Sequence, residues 1–92
     1  MWILDNAEER SAENPDTFEI DERWERESLK PGQFAKLIFL TAAGGGERMW
    51  VKVTEVLEDG YIGSLANTPF FMEGLEFGDE VSFKAEHIID FN

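Results

Sequence analysis

The sequence predicts an α+β fold in which a short N-terminal helix packs on a bent antiparallel sheet of four or five strands. Three observations lead to this prediction. Apolar and polar side chains alternate over several stretches between residues 34 and 83, glycine-containing turns separate these stretches, and one helix-like segment precedes them. Period-two alternation is typical of strands that bury one face, and short turns between such strands favour antiparallel hairpins.

The 92-residue length corresponds to one domain, whose core is expected in the later part of the chain. Hydrophobic residues make up 42% of the sequence and include eight Phe and three Trp, which is too apolar for a disordered chain. Residues 1–30 hold ten of the twenty acidic residues. We therefore expect residues 1–16 to form an acidic flexible lead-in and residues 17–92 to form a single β-rich domain.

The helix is predicted over residues 22–29. Asp21 precedes it as a candidate N-cap, and acidic residues in the first turn suit the positive end of the helix dipole. Trp24 is the only large apolar side chain within the helix before its last residue, so it is expected to anchor the helix. Pro31 and Gly32 end the segment, because Pro cannot continue a helix and Gly permits a turn.

The first two strands of the predicted sheet form a hairpin. Phe34–Thr41 is nearly all apolar, which indicates that both of its faces are covered. The glycine-rich residues 42–46 form the hairpin tip, and residues 47–57 form the second strand. Alternation in that second strand places one apolar set on the core face, namely Met49, Val51 and Val53.

The remaining strands follow after short turns. Residues 58–60 end in an Asp-Gly turn signal, and residues 61–66 form a third strand in which Gly63 indicates a bulge or a close backbone approach. Residues 80–84 form the next strand, and residues 85–91 form a final turn or strand that returns to the core. A helix followed by strands with short connections also allows a small half-open barrel of the SH3-like type.

The net charge of −12 limits the classes of partner. It disfavours nucleic-acid backbones and anionic membrane surfaces, and it is compatible with a basic protein partner, with nucleic-acid mimicry or simply with solubility. The sequence has no Cys, which fits a reducing compartment. No secretory signal or membrane-length apolar run is visible, so we expect a cytoplasmic protein. We expect no cofactor and no metal, and nothing in the pattern indicates an oligomeric state.

The polar face of the second strand is the first candidate binding site. Arg48, Trp50 and Lys52 point the same way in a regular strand, and Trp and Arg are enriched at binding hot spots. The alternative is that Trp50 covers the second face of the sheet while the two bases pair with nearby acids. Asn67 is a further candidate, although turn chemistry in the Asn-Thr-Pro sequence also explains it.

The second candidate site is the single histidine. His87 and Asp90 would share a face if their segment were helical, and such a pair can orient an imidazole for acid–base chemistry. A surface His near a carboxylate is the structural alternative. One His supplies too few nitrogen ligands for an ordinary zinc site, and the glycine run lacks the Lys-Ser or Lys-Thr of a phosphate loop.

Several short motifs occur in a characteristic order, and they occupy residues 14–18, 29–32, 47–54, 63–69, 78–83 and 86–90. Together they resemble the bacterial domain-of-unknown-function family 2314, over about residues 14–90. The resemblance implies a small soluble bacterial protein with no established activity, so no catalytic residue carries over. The motif positions in this chain are Trp50, Gly63, Asn67, Pro69, Gly78, Asp79 and Asp90.

These observations leave the function open. The leading hypothesis is a non-enzymatic binding or regulatory module that contacts a protein partner through the Arg48, Trp50 and Lys52 face or through the acidic N-terminal third. One alternative is a small hydrolase-like enzyme that uses His87 and Asp90. Another is an acidic inhibitor of the immunity type that mimics nucleic acid.

Overall fold

The computed structural model describes residues 1–92 and confirms the α+β class, with six strands in one curled antiparallel sheet that forms a half-barrel. The elements in chain order are β1 (Trp2–Leu4), α1 (Ala7–Glu13), α2 (Arg23–Arg26), β2 (Phe34–Thr41), β3 (Gly46–Leu57), β4 (Gly60–Leu65), β5 (Glu80–Phe83), a 3₁₀ turn (Ala85–His87) and β6 (Ile88–Phe91). The four strands from β2 to β5 lie within one residue of their predicted bounds.

Strand β2 is paired along both of its edges. On one side it pairs with β3, and beyond β3 the order continues through β4 to β5. On the other side β6 pairs with residues 35–37 and β1 pairs with residues 39–41. Both ends of the chain are therefore hydrogen-bonded to the same strand, and this pairing curls the sheet towards a barrel.

The core lies on the concave face of the sheet and contains the predicted inward-facing residues of β3. Met49, Val51 and Val53 are buried. They pack with the buried side chains of β2, β4, β5, β6 and the loops, which include Leu29, Leu37, Phe39, Tyr61, Leu65, Met72, Leu75, Val81, Phe83 and Ile88. The loop between β4 and β5 covers the open side of the half-barrel, because it contributes Met72 and Leu75 to this cluster.

Gly63 has the close backbone approach that its position in β4 predicts. A Cβ atom at this residue would lie 2.6 Å from the carbonyl oxygen of Lys52 and 2.5 Å from a methyl group of Val51. The β3–β4 register also shifts between Val53 and Glu55, which is the irregularity expected of a bulge. Only a residue without a side chain allows the two strands to approach this closely.

The first sixteen residues differ from the expected flexible lead-in, because they form a strand and a helix. The ring of Trp2 in β1 lies 5.2 Å from the ring of Phe39, and Ala7 at the start of α1 is fully buried. Asn6 caps α1 by accepting a hydrogen bond from the Glu9 backbone N–H at 3.0 Å. Three apolar residues are too few to reveal a strand by periodicity, but Asn followed by acidic residues is a helix-start signal.

Helix α2 is shorter than predicted and is anchored by a different residue. Trp24 is 68% exposed, whereas Arg26 is only 4% exposed. The Arg26 guanidinium donates to the carbonyl oxygens of Asp21 at 2.8 Å and Ala85 at 2.6 Å, and it forms an ion pair with Glu8 at 2.9 Å. The prediction that Trp24 anchors this helix was wrong, because hydrophobicity alone does not identify an Arg that buries itself through hydrogen bonds.

Tyr61 extends this connection to the sheet. Its hydroxyl donates to the Arg26 carbonyl oxygen at 2.8 Å and accepts from the Leu29 N–H at 3.1 Å. Burial raises the pKa of Tyr61. Burial also raises the pKa of Glu8, but hydrogen bonds from Arg26 and Arg23 outweigh it, so that this pKa lies below 4.5. We call Glu8, Arg26 and Tyr61 the Arg26 cluster; it joins both helices to β4 and to the 3₁₀ turn.

The Arg26 cluster gives a stability prediction. Arg26→Ala should lower the free energy of unfolding by about 2–4 kcal/mol, because it removes the buried donor to the Asp21 and Ala85 carbonyl oxygens and one of the two arginine partners of the Glu8 carboxylate. Arg23 shares the Glu8 carboxylate but is half exposed, so Arg23→Ala should cost less than about 1 kcal/mol. Urea denaturation of both variants measures the difference, and equal losses would show that the buried hydrogen bonds of Arg26 do not matter.

Candidate functional site

The outer, convex face of the sheet carries the residues that the sequence singled out. Arg48, Trp50 and Lys52 alternate with the buried residues of β3, and all three lie on the face opposite the core. Arg48 and Lys52 are exposed, and Trp50 is partly buried. The structure therefore brings the three predicted side chains together along one strand.

Lys36 is a fourth member of this group that sequence reasoning missed. It lies directly opposite Trp50 in the β2–β3 register, and its Nζ atom lies 5.5 Å from the centroid of the Trp50 ring. This distance is within the range of a cation–π interaction. Lys36 is the only charged residue of β2, but its position beside Trp50 follows only from the register of the two strands.

The irregular segment between α1 and α2 contacts one end of this group. The guanidinium of Arg48 lies 5.7 Å from the ring centroid of Phe18, and the guanidinium of Arg10 lies at the same distance. Phe18, Lys36 and Arg48 together line a groove of about 220 Å³ that also borders Asp90. Phe18 therefore shows that an aromatic side chain can rest against Arg48 at this surface.

The cations of the outer face have no acidic partners. Of the eight basic residues, four form ion pairs with carboxylates, namely Arg10, Arg23, Arg26 and Lys84. Three of the other four lie on this face, and none of their side chains forms an ion pair or donates a hydrogen bond within the chain. We call Lys36, Arg48, Trp50 and Lys52 the outer-face patch. The alternative in which Arg48 and Lys52 pair with nearby acids is not what the structure shows.

Two acids border the patch: Glu19 and Asp90 line the same groove as Lys36 and Arg48, but neither carboxylate forms an ion pair with them. Asp90 lies opposite Lys36 in the β2–β6 register, but its carboxylate accepts the Phe91 N–H at 2.8 Å and forms no ion pair with Lys36. Glu80 is separated from Lys52 by Ser64 of the intervening strand. In a chain with a net charge of −12, the patch is thus a local concentration of unpaired positive charge.

Asn67 supports this site from behind. Its side-chain oxygen accepts the backbone N–H of Trp50 at 2.5 Å, and the preceding Ala66 N–H donates to the Trp50 carbonyl oxygen at 2.8 Å. These bonds continue the β3–β4 ladder beyond the last residue of β4. The structural explanation for Asn67 therefore holds, and its contact fixes the backbone at Trp50.

A second aromatic surface lies in the loop between β4 and β5. Phe70 is 91% exposed, and Phe71 and Phe77 are also exposed. The carboxylate of Glu47 accepts the backbone N–H groups of Phe70 at 2.6 Å and Phe71 at 3.3 Å, which holds this part of the loop against β3. The exposure of these aromatic side chains was not predicted from the sequence.

The structure does not bring His87 and Asp90 together. The segment is not helical, since a 3₁₀ turn ends at His87 and Asp90 lies in β6. The imidazole Nδ1 accepts the Lys84 N–H at 3.0 Å and thereby caps the turn. A groove of about 200 Å³ borders His87, but Asp90 does not line it. The expectation that His87 and Asp90 share a helix face is therefore wrong, and the orientation of the imidazole is fixed by its capping bond instead.

The environment of His87 favours its neutral form. Burial lowers the pKa of the imidazole below 6.5, against an opposing effect of the Glu86 carboxylate, whose Oε2 lies 3.9 Å from Nε2. A neutral Nδ1 is also what the capping bond requires, because a protonated Nδ1 cannot accept a hydrogen bond.

No group of three His, Cys, Asp or Glu side chains lies close enough to hold a metal ion. None of the helices has the length and apolar character needed to cross a membrane.

The cap predicts a pH dependence of stability. Because the folded state binds the His87 proton less tightly than the unfolded state, the contribution of this group is complete above pH 6.5 and declines as the pH falls below it. The free energy of unfolding should decrease between pH 7.5 and 5.5, above the range in which Glu8 titrates. His87→Asn keeps an acceptor for the cap without a titrating group, so it should show a shallower decrease. Identical slopes in urea titrations of the two proteins would contradict this explanation.

Comparison with known proteins gives one match. The model of a family described as uncharacterized protein conserved in bacteria, domain of unknown function 2314, matches residues 3–92. No curated protein and no solved structure matches the chain. The match covers nearly every residue, including most of β1 and all of α1, and so extends further towards the N-terminus than the motifs visible in the sequence. The chain therefore belongs to this uncharacterized bacterial family, as its motifs indicated.

Proposed function

We propose that this protein is a non-enzymatic binding module of the bacterial cytoplasm that contacts a protein partner through the outer-face patch. The observation that carries the proposal is the set of three cations without acidic partners around the partly buried Trp50, in a chain with a net charge of −12. The absence of Cys supports the cytoplasmic setting.

The patch has the physical properties of a contact site. Trp50 offers a large aromatic surface with few rotatable bonds, so that ordering it on binding costs little entropy. Its backbone is fixed on both sides, by the pairing of β3 with β2 and by the hydrogen bond to Asn67. Lys36 lies beside the ring and restricts its position. At such a site the central aromatic side chain contributes most of the binding free energy, and the surrounding charged side chains contribute specificity.

A matched pair of tryptophan variants tests this function. Trp50→Ala should abolish the specific capture of a partner from a lysate of the source bacterium, whereas Trp24→Ala should retain it, because Trp24 is exposed on α2 away from the patch. Circular dichroism and thermal unfolding verify that both variants fold.

The measurement is quantitative mass spectrometry of the captured proteins with each variant as bait. Capture that is equal for all baits would contradict the proposal. Loss of capture with Phe70→Ala but not with Trp50→Ala would move the contact site to the β4–β5 loop.

A further inference from the structure

We infer that the outer-face patch binds an extended acidic segment of a protein partner, with an apolar side chain placed between two carboxylates. This inference rests on the proposed function and specifies the chemistry of the partner at the same site. Its basis is charge complementarity together with the spacing of the patch along β3.

The spacing sets the length of the segment. Arg48 and Lys52 flank Trp50 on the same face, and alternate residues of a strand lie ~6.6 Å apart, so the two cations are separated by ~13 Å along β3. An extended peptide has the same rise per residue. Its first and fifth side chains therefore reach the two cations while its third side chain faces the indole.

The chemistry of each position follows from the free groups of the patch. The guanidinium of Arg48 and the ammonium of Lys52 keep all of their N–H donors available, and carboxylates are the acceptors that such donors bind most strongly. Arg48 lies against the ring of Phe18 and forms no ion pair, so its N–H donors are not used within the chain. Trp50 provides apolar surface between the two charges, so an apolar side chain fits the central position.

The distribution of charge also favours an anionic occupant. Lys36 lies opposite Trp50 and diagonal to both Arg48 and Lys52, so three positive charges gather on neighbouring positions of one face. None of them forms an ion pair, and the Asp90 carboxylate opposite Lys36 accepts the Phe91 N–H instead. Like charges so placed repel one another, and a bound carboxylate removes that repulsion. Acids more than about 8 Å from the patch act only weakly on it, because charges at that separation are largely screened at physiological salt.

A polypeptide fits the site better than a nucleic acid. Nucleic-acid backbones carry phosphates without interruption, and the affinity of a protein for them grows with the number of Lys and Arg side chains that neutralise phosphates. Here only three cations are free, and the strongly negative remainder of the chain opposes a long polyanion. A short segment with two carboxylates matches the patch without extending into the acidic surroundings.

Titration of the isotope-labelled full-length protein with capped peptides tests the inference by NMR at 0.15 M salt. The acidic probe is glutamate–threonine–phenylalanine–threonine–glutamate, and matched probes carry glutamine or lysine in place of both glutamates. The acidic peptide should shift the amide signals of Lys36, Arg48, Trp50 and Lys52 and bind at least tenfold more tightly than the glutamine peptide. Equal binding of the acidic and glutamine peptides, or no binding by any peptide, would overturn the inference.

Charge-reversal variants locate the binding site. Lys52→Glu and Arg48→Glu should each lower the affinity for the acidic peptide at least tenfold, and Lys52→Gln should lower it by a smaller factor. Lys30→Glu is the matched control, because Lys30 is the one remaining base without an ion pair and lies outside the patch. An equal loss of affinity in Lys30→Glu would show that peptide binding depends on the net charge of the protein rather than on the patch, and it would contradict the inference.

The outcomes separate this inference from the proposed function. If Trp50→Ala abolishes partner capture but the peptides bind equally, the binding function stands and the acidic occupant is wrong. If capture is unaffected and the acidic peptide does not bind, both are wrong. Preferential binding of single-stranded oligothymidylate, tested as a further probe, would replace the acidic peptide with a nucleic-acid ligand.

Discussion

The antiparallel register of β2 against β3 is the constraint on which the rest of the structure depends. It places Leu37 opposite Met49 on the core side and Lys36 opposite Trp50 on the outer side. Because side chains alternate with a period of two, a slip of one residue in β3 would turn its cations towards the core and expose Met49. The same register therefore defines both the hydrophobic core and the patch proposed for binding.

The remaining elements stabilise this pairing from its edges. The two chain ends occupy the other side of β2 through β1 and β6, so that no long edge of this central strand remains free. The Arg26 cluster then holds α1, α2 and the 3₁₀ turn together through hydrogen bonds to buried carbonyl oxygens. Gly63 permits β4 to approach β3, and Asn67 extends their pairing as far as Trp50. The backbone beneath the outer-face patch is held from both sides, because β2 and β3 each pair along both of their edges.

The alternation of apolar and polar residues and the turn residues predicted the elements whose structure depends on neighbouring positions in the sequence. Strands β2 to β5, the inward residues of β3 and the constraint at Gly63 follow from alternation and turn chemistry. The anchoring role of Arg26 and the position of Lys36 depend on contacts between residues far apart in sequence, which periodicity does not encode. The candidate site was predicted in part, since Arg48, Trp50 and Lys52 share a strand face, but the lack of acidic partners emerges only from the folded arrangement of the charges.

The most direct test of this account is the NMR signature of Lys36 beside Trp50. An ammonium group 5.5 Å from the indole centroid places the end of the lysine side chain within the ring-current field of the indole. The account predicts upfield-shifted side-chain methylene signals for Lys36, cross-relaxation between these protons and the Trp50 ring, and the loss of both in Trp50→Ala. Random-coil shifts for Lys36 with no cross-relaxation to the indole would contradict the contact between Lys36 and Trp50 and, with it, the outer-face patch as described.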